Sequence, residues 1–180
     1  MFYCYMHIIN TLSEYGLISK LFHWLTAIIV LIQIPLGFYL VDLDFGPERI
    51  TFENLHIILG LAVFYLTILR LLNNILNPTP KLKTNSFAGQ KFIAKLNHLL
   101  LYISVLTITI SGILKKLFNG EELNIFFKII TLSDNHQLSE QFYDIHIYAN
   151  YILMSLLLLH LLAVIVHKIL FKENILKRIF

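Results

Sequence analysis

The sequence is poor in cysteine and in charge. Cys4 is the only thiol among 180 residues, which excludes a disulfide-stapled secreted scaffold. Zinc and iron–sulfur centres built on four cysteines are excluded with it. No C-x-x-C-H stretch occurs, so haem cannot be attached covalently in the c-type manner. Cys4 itself is expected to be inert. Charged residues make up 14% of the chain and hydrophobic ones 57%, whereas soluble domains carry about 25% charged and about 45–50% apolar residues. A soluble fold of this size lacks the interior volume to hide so many Leu, Ile and Phe side chains. The chain reads as an integral membrane protein. Its net charge of +3 matters through its placement, and no nucleic-acid partner is expected.

What the sequence has is long uncharged runs. A helix needs about 20 apolar residues to cross a bilayer. Residues 21–41, 54–69, 96–114 and 145–167 carry no acidic or basic side chain other than histidine. The second run is short, but Arg70 can snorkel at its end and extend it to about residue 73. The expectation is one all-α membrane domain over residues 1–180, a four-helix bundle with spans near 21–41, 54–73, 96–114 and 145–167. The first run is longer than a signal-peptide core and lacks an A-x-A-like site after it, so it is read as a retained span. Asn77-Pro78-Thr79-Pro80 predicts a helix stop followed by extended chain. Residues 123–132 are apolar enough to lie along the membrane surface. No strand is expected, because an open sheet leaves unpaired backbone groups in lipid.

Orientation follows from Lys and Arg. The N-terminal segment, the second loop and the C-terminal tail together hold ten of them; the first and third loops hold four. Both termini are therefore predicted to face the cytoplasm.

Eight histidines occur, and His23, His56, His98, His146 and His160 fall within or at the ends of spans. A polar group in a bilayer needs a reason. His160 follows His146 by 14 residues, within about 40° of four full helical turns, so the two rings share a face about 21 Å apart. One metal ion cannot bridge that gap; two stacked centres can use it. With the predicted topology, His56 and His146 form a pair at the outer level. At the inner level His160 can pair with either His23 or His98. Two facing imidazoles are what a haem b iron held from both sides requires. Gly37 lies 14 residues after His23, and Gly112 lies 14 after His98. Glycine there lets a macrocycle approach the backbone. Arg70, 14 residues after His56, falls on the interior face at the inner level, where it can pair with a haem propionate or serve as a positive-inside anchor. No Asp, Glu or Lys lies inside a span, so ion-relay transport lacks its carboxylates.

These residues resemble a known family. Leu21-Phe22-His23-Trp24-Leu25-Thr26-Ala27 is similar to the helix-one opening of bacterial cytochrome b561 proteins. His56-x-x-x-Gly60, then Leu69-Arg70-Leu71-Leu72 and Asn77-Pro78-Thr79-Pro80, resembles the second helix and the loop after it. His98-x-x-Leu101-Tyr102 with Ser111-Gly112 resembles the third, and His146 through His160-x-x-Ala163-x-x-x-His167 the fourth, followed by a basic tail over residues 172–178. Ile147 stands where relatives often carry Glu, and Lys168 where they often carry a second His. The resemblance implies a multi-pass protein of the bacterial inner membrane with two b haems between its helices. It implies His23 with His160 as inner ligands and His56 with His146 as outer ones. It also implies a membrane quinone as redox partner, and superoxide:ubiquinone oxidoreduction as the activity. An electron-carrying anchor for a dehydrogenase or hydrogenase is the competing reading. Beyond lipid, quinone and superoxide, the further partner is a dehydrogenase or a second copy of the chain. On the leading reading Lys115 and Lys116, at the outer end of span three, draw in the superoxide anion. His98 and Tyr102, one turn apart near the inner face, are placed to hydrogen-bond a quinone carbonyl.

Overall fold

The computed structural model describes residues 7–80, 89–125, 128–170, 172 and 174–180. Cys4, Lys81 and Lys83 lie outside the described residues. Four helices dominate: α1 (Leu17–Asp42), α2 (Pro47–Leu76), α3 (Gln90–Phe118) and α4 (His136–Ile169). All four are long and apolar enough to cross a membrane. Each extends past its uncharged run, because Lys, Arg and Glu continue a helix well once it leaves the hydrocarbon.

Local chemistry sets the ends. Asn10 Oδ1 accepts from the Gly16 N–H at 2.9 Å and from Ser19 Oγ at 2.7 Å, folding residues 7–16 over the start of α1. Pro47 opens α2, where its missing N–H costs nothing. The same helix stops at Leu76, just before Asn77-Pro78, as expected. Gly89, at φ +97°, precedes α3 in the left-handed conformation that glycine tolerates. Asn135 caps α4, accepting from the Leu138 N–H at 3.1 Å.

The bundle is built as two hairpins. Contact is most extensive between α3 and α4 and between α1 and α2, with less between α2 and α3. Val30, Val63 and Leu153 form one buried cluster, drawn from α1, α2 and α4. Leu61, Leu117 and Leu123 form a second. Large apolar side chains such as Ile28, Leu31, Ile58 and Leu158 point outward, as a lipid-facing surface requires. Small polar side chains fill close approaches: Ser111 is 1% exposed and Thr67 2%.

One end gathers the start of α1, the described C-terminal residues, and Pro80 and Gln90 on either side of the α2–α3 connection. There Trp24 Nε1 donates to the Ile179 carbonyl at 2.9 Å and Arg178 to that of Pro80 at 3.1 Å. Lys20 reaches the Phe180 carbonyl. Gln90 meets His167 at 2.6 Å. We call this the terminal end. The opposite, hairpin end corrects the expectation of no strand. Residues Leu123–Asn124 (β1) and Ile129–Ile130 (β2) pair antiparallel, with Leu123 opposite Ile130. The bilayer objection does not reach them, since outside the spans water can satisfy the open edges. Nor does Leu123 lie on the surface: it is 2% exposed, packed under the hairpin against the Leu61 and Leu117 cluster.

Candidate haem sites

Helix α4 is continuous from His136 to Ile169, so His146 and His160 stand about 21 Å apart along it. Each meets other histidines, at two separate levels. Nearer the hairpin end, the His56 and His146 rings face each other with centroids 6.1 Å apart and planes at 70°. They come from α2 and α4, one helix of each hairpin. Nearer the terminal end, the His98 and His160 rings are 5.4 Å apart. His23 belongs to the same neighbourhood, but its direct partner is Arg70, whose Nη2 donates to His23 Nδ1 at 2.9 Å. The Arg70 guanidinium also lies 5.4 Å from the Tyr102 ring centroid. Arg70 sits two turns inside the end of α2 and faces the interior rather than snorkelling from a helix end.

The pair from α2 and α4 borders a cavity of about 420 Å³ that also touches Gly37, Gly60 and Gly112. Cofactor pockets fall in this size range of about 300–1,000 Å³. A Cβ on Gly37 would stand 3.5 Å from His56 Cε1, and one on Gly112 would stand 3.1 Å from His146 Cε1. Both expected glycines therefore lie at the depth of this pair, each against one of its rings. His146 Nδ1 donates to the Ile108 carbonyl at 2.8 Å, which leaves Nε2 with its lone pair free to ligate. His56 Nδ1 is buried with no hydrogen-bond partner among the described residues.

The mouth of the cavity is charged. Arg49, Glu53, Lys115 and Lys116 border it. Lys116 is already engaged: its ammonium pairs with Glu121, and Asn119 Nδ2 donates to the other carboxylate oxygen at 2.7 Å. Partial burial works against ionisation of Glu121, but the bonds from Lys116 and Asn119 outweigh it and hold its carboxyl below the usual range. Lys115 forms no ion pair among the described residues, so of the two expected steering lysines it is the less engaged one.

Two comparisons bear on what such a bundle is. The family model for prokaryotic cytochrome b561 matches residues 14–180. The chain belongs to the prokaryotic cytochrome b561 family. It is also 28% identical to cytochrome b561 homolog 2 of Escherichia coli (strain K12), over 96% of this chain and 94% of that protein. Membership makes it a multi-pass membrane protein of the bacterial inner membrane, an electron carrier or oxidoreductase whose cofactor is haem b.

The residues present fit that cofactor. Two metal–imidazole bonds of about 2 Å each, with the half-width of each ring, put the centroids roughly 6 Å apart, as His56 and His146 are. His146 has its Nδ1 held by the Ile108 carbonyl, as metal-ligating imidazoles usually do. Among the described residues no group of three or more His, Cys, Asp or Glu side chains could hold a metal ion.

Sequence reasoning missed several polar partners. Gln33 Nε2 donates to the His56 carbonyl at 2.8 Å. The Asn97 amide stands 3.4 Å from His160 Nδ1. Asn73 Nδ2 donates to Ser19 Oγ at 2.7 Å. The signal was present for Gln33, the only carboxamide in the first uncharged run. An amide in hydrocarbon demands a partner as a histidine does.

Proposed function

We propose that the chain carries electrons across the membrane between two b haems, taking them from superoxide at the hairpin end and delivering them to ubiquinone. The observation that carries this reading is the pair of imidazole levels on one helix, with His56 facing His146 across the space between the hairpins. When bound, the haems supply one-electron carriers at two depths. Two superoxide anions each lose one electron to become dioxygen; those electrons, with two protons, convert one ubiquinone to ubiquinol.

His56 and His146 hold one haem from opposite hairpins. A second haem would likewise take one ligand from each hairpin, which favours His23 of α1 with His160 of α4. His98 shares a hairpin with His160. Arg70 has only donors, so its bond to His23 uses the Nδ1 lone pair and leaves the proton on Nε2. Ligation through Nε2 requires Arg70 to let go, which frees its guanidinium for a propionate. His98 and Tyr102 then remain as donors to a quinone carbonyl. The terminal end, rich in Lys and Arg, faces the cytoplasm by the positive-inside rule, and the hairpin end faces outward. Two histidines holding each iron would leave no open position for superoxide to ligate, and the haem would supply a one-electron acceptor. Lys115 attracts it, and Lys116 does so less because Glu121 neutralises it.

A reduced-minus-oxidised spectrum with haem counted per chain tests the core of this reading. Two haems are expected in the wild type, and one fewer in each of His56→Ala and His23→Ala. Purified protein that reduces ubiquinone with superoxide alone establishes the donor. Failure of that reaction, with a co-purified dehydrogenase reducing the haems, would make the chain an electron-carrying anchor. Lys115→Glu is expected to lower the superoxide-dependent rate and flatten its salt dependence more than Lys116→Glu does; equal, unchanged rates would remove the steering role.

A further inference from the structure

Two buried polar atoms near the His56–His146 level lack partners among the described residues, and they are complementary. His56 Nδ1 is one and Gln33 Oε1 the other. Gln33 and His56 border the same cavity and are already joined, since Gln33 Nε2 donates to the His56 carbonyl at 2.8 Å. That bond fixes which end of the amide is which: a carbonyl accepts only, so the nitrogen must face it and the oxygen must face elsewhere. Gly60, one turn beyond His56 on α2, makes room for the amide; a Cβ there would stand 3.3 Å from Gln33 Nε2. A haem-ligating imidazole presents one nitrogen to iron and needs an acceptor for the N–H of the other. His146 has the Ile108 carbonyl for this purpose. His56 Nδ1 has no partner among the described residues, while Gln33 Oε1, an unpaired acceptor, belongs to a side chain that borders the same cavity. A buried unsatisfied pair of this kind in hydrocarbon calls for an explanation.

We infer that Gln33 is a positioning residue for the haem held by His56 and His146: its Oε1 accepts from His56 Nδ1–H, directly or through one water, once Nε2 ligates iron. The inference rests on His56 being a ligand. Its consequence is electronic as well as geometric. An acceptor on Nδ1–H makes the imidazole a stronger donor and stabilises the ferric state. Gln33 therefore lowers the midpoint potential of this haem and leaves the other haem alone.

The test is a redox titration of purified, haem-loaded wild type, Gln33→Leu and Gln33→Glu, with low-spin ferric EPR signals recorded on the same samples. Gln33→Leu is expected to raise one of the two potentials and shift one of the two EPR signals. Gln33→Glu, when ionised a stronger acceptor though without the amide's bond to the His56 carbonyl, is expected to move the same potential the other way. Gly60→Ala, which presses on the amide without removing it, should give a smaller shift in the direction of the leucine variant; it decides the matter alone if neither Gln33 variant assembles. Unmoved potentials in variants that retain both haems overturn the inference, as do equal shifts of both haems, which would mean general loosening. Retention of both haems by His56→Ala would instead sink the ligand assignment beneath it, an outcome seen separately by haem count.

Discussion

A methyl group at Gly112 tests whether the haem site is built around its imidazoles. In Gly112→Ala the new Cβ would lie 3.1 Å from His146 Cε1 and 3.2 Å from Nδ1, a few tenths of an ångström inside ordinary contact. Without haem the ring can retreat. With Nε2 fixed to iron and Nδ1 fixed to the Ile108 carbonyl at 2.8 Å, retreat means stretching one bond or the other. Overpacking of this kind costs about 1–3 kcal/mol. Alanine also returns about 0.5–1 kcal/mol in helix propensity, but that gain is the same with and without haem and cancels in the affinity. At about 1.4 kcal/mol per factor of ten, haem binding at this level should weaken roughly 5- to 150-fold. The second-shell range of about 10–100-fold overlaps it. Haem per chain by pyridine haemochrome, combined with a redox titration, reads the result: one haem lost or displaced in potential, the other untouched. Gly37→Ala is the companion, since its Cβ would stand 3.5 Å from His56 Cε1, in ordinary contact. That variant should leave the imidazole in place, so any haem loss there reports on the macrocycle. A Gly112→Ala protein holding both haems with wild-type affinity and potentials would refute the reasoning.

Three further outcomes follow from the same geometry. His98→Ala should keep both haems and raise the KM for quinone, whereas His23→Ala should lose one haem; the reverse pattern would make His98 the ligand of His160. Glu121→Gln releases Lys116, so the low-salt rate with superoxide should rise by about two- to fivefold and converge with wild type at high salt. Because the folded pKa of Glu121 lies below its ordinary value of 4.5, its pairing stabilises the protein fully above that value and is lost as pH falls through the lower folded one. The Tm difference between wild type and Glu121→Gln should therefore be present at pH 7 and vanish in strong acid; a difference that persists there would assign it to something other than the ion pair. Leu123→Ala empties a fully buried site and should cost about 2–4 kcal/mol, read as faster proteolysis between β1 and β2; unchanged cleavage would mean the strands are not held by that side chain.

The spans were legible because the bilayer imposes one requirement on every residue in them, and an uncharged run reports it without reference to any neighbour. The histidine ladder was legible for a related reason. A fixed rise per residue turns a spacing of 14 between His146 and His160 into a depth difference whatever the rest of the bundle does. Which residue faces which across the slot was not legible. Period and depth place His23, His98 and His160 at one level, but the choice of ring partner depends on helix rotation, and Arg70 intervenes by bonding His23. The engagement of Lys116 by Glu121 was hidden because it needs the turn after α3. The β1–β2 pairing was missed because the lipid rule was carried past the end of the lipid.

The thinness of the core leads to a last prediction. Two hairpins packed more closely within themselves than against each other enclose a cavity of about 420 Å³. Between them Val30 and Val63 meet Leu153, with Ile29 and Ile34 on one side and Leu101, Val105, Ile108 and Leu157 on the other packed around these three. Lipid cannot drive the hairpins together, since it is as apolar as their outer faces. An empty slot forfeits the dispersion contacts its lining would otherwise make. On the proposed ligation, cofactor bridging α2 and α4 through His56 and His146 would add to what joins the halves, and by linkage would stabilise the folded state by about 4 kcal/mol at a thousandfold excess over its Kd. Protein made under haem limitation should therefore show a lowered Tm, restored by adding haem to the detergent-solubilised sample. His56→Ala should show a lowered Tm that added haem fails to restore fully. Should the haem-free protein melt where the loaded one does, the hairpins are joined by their own side chains and the haem is a passenger.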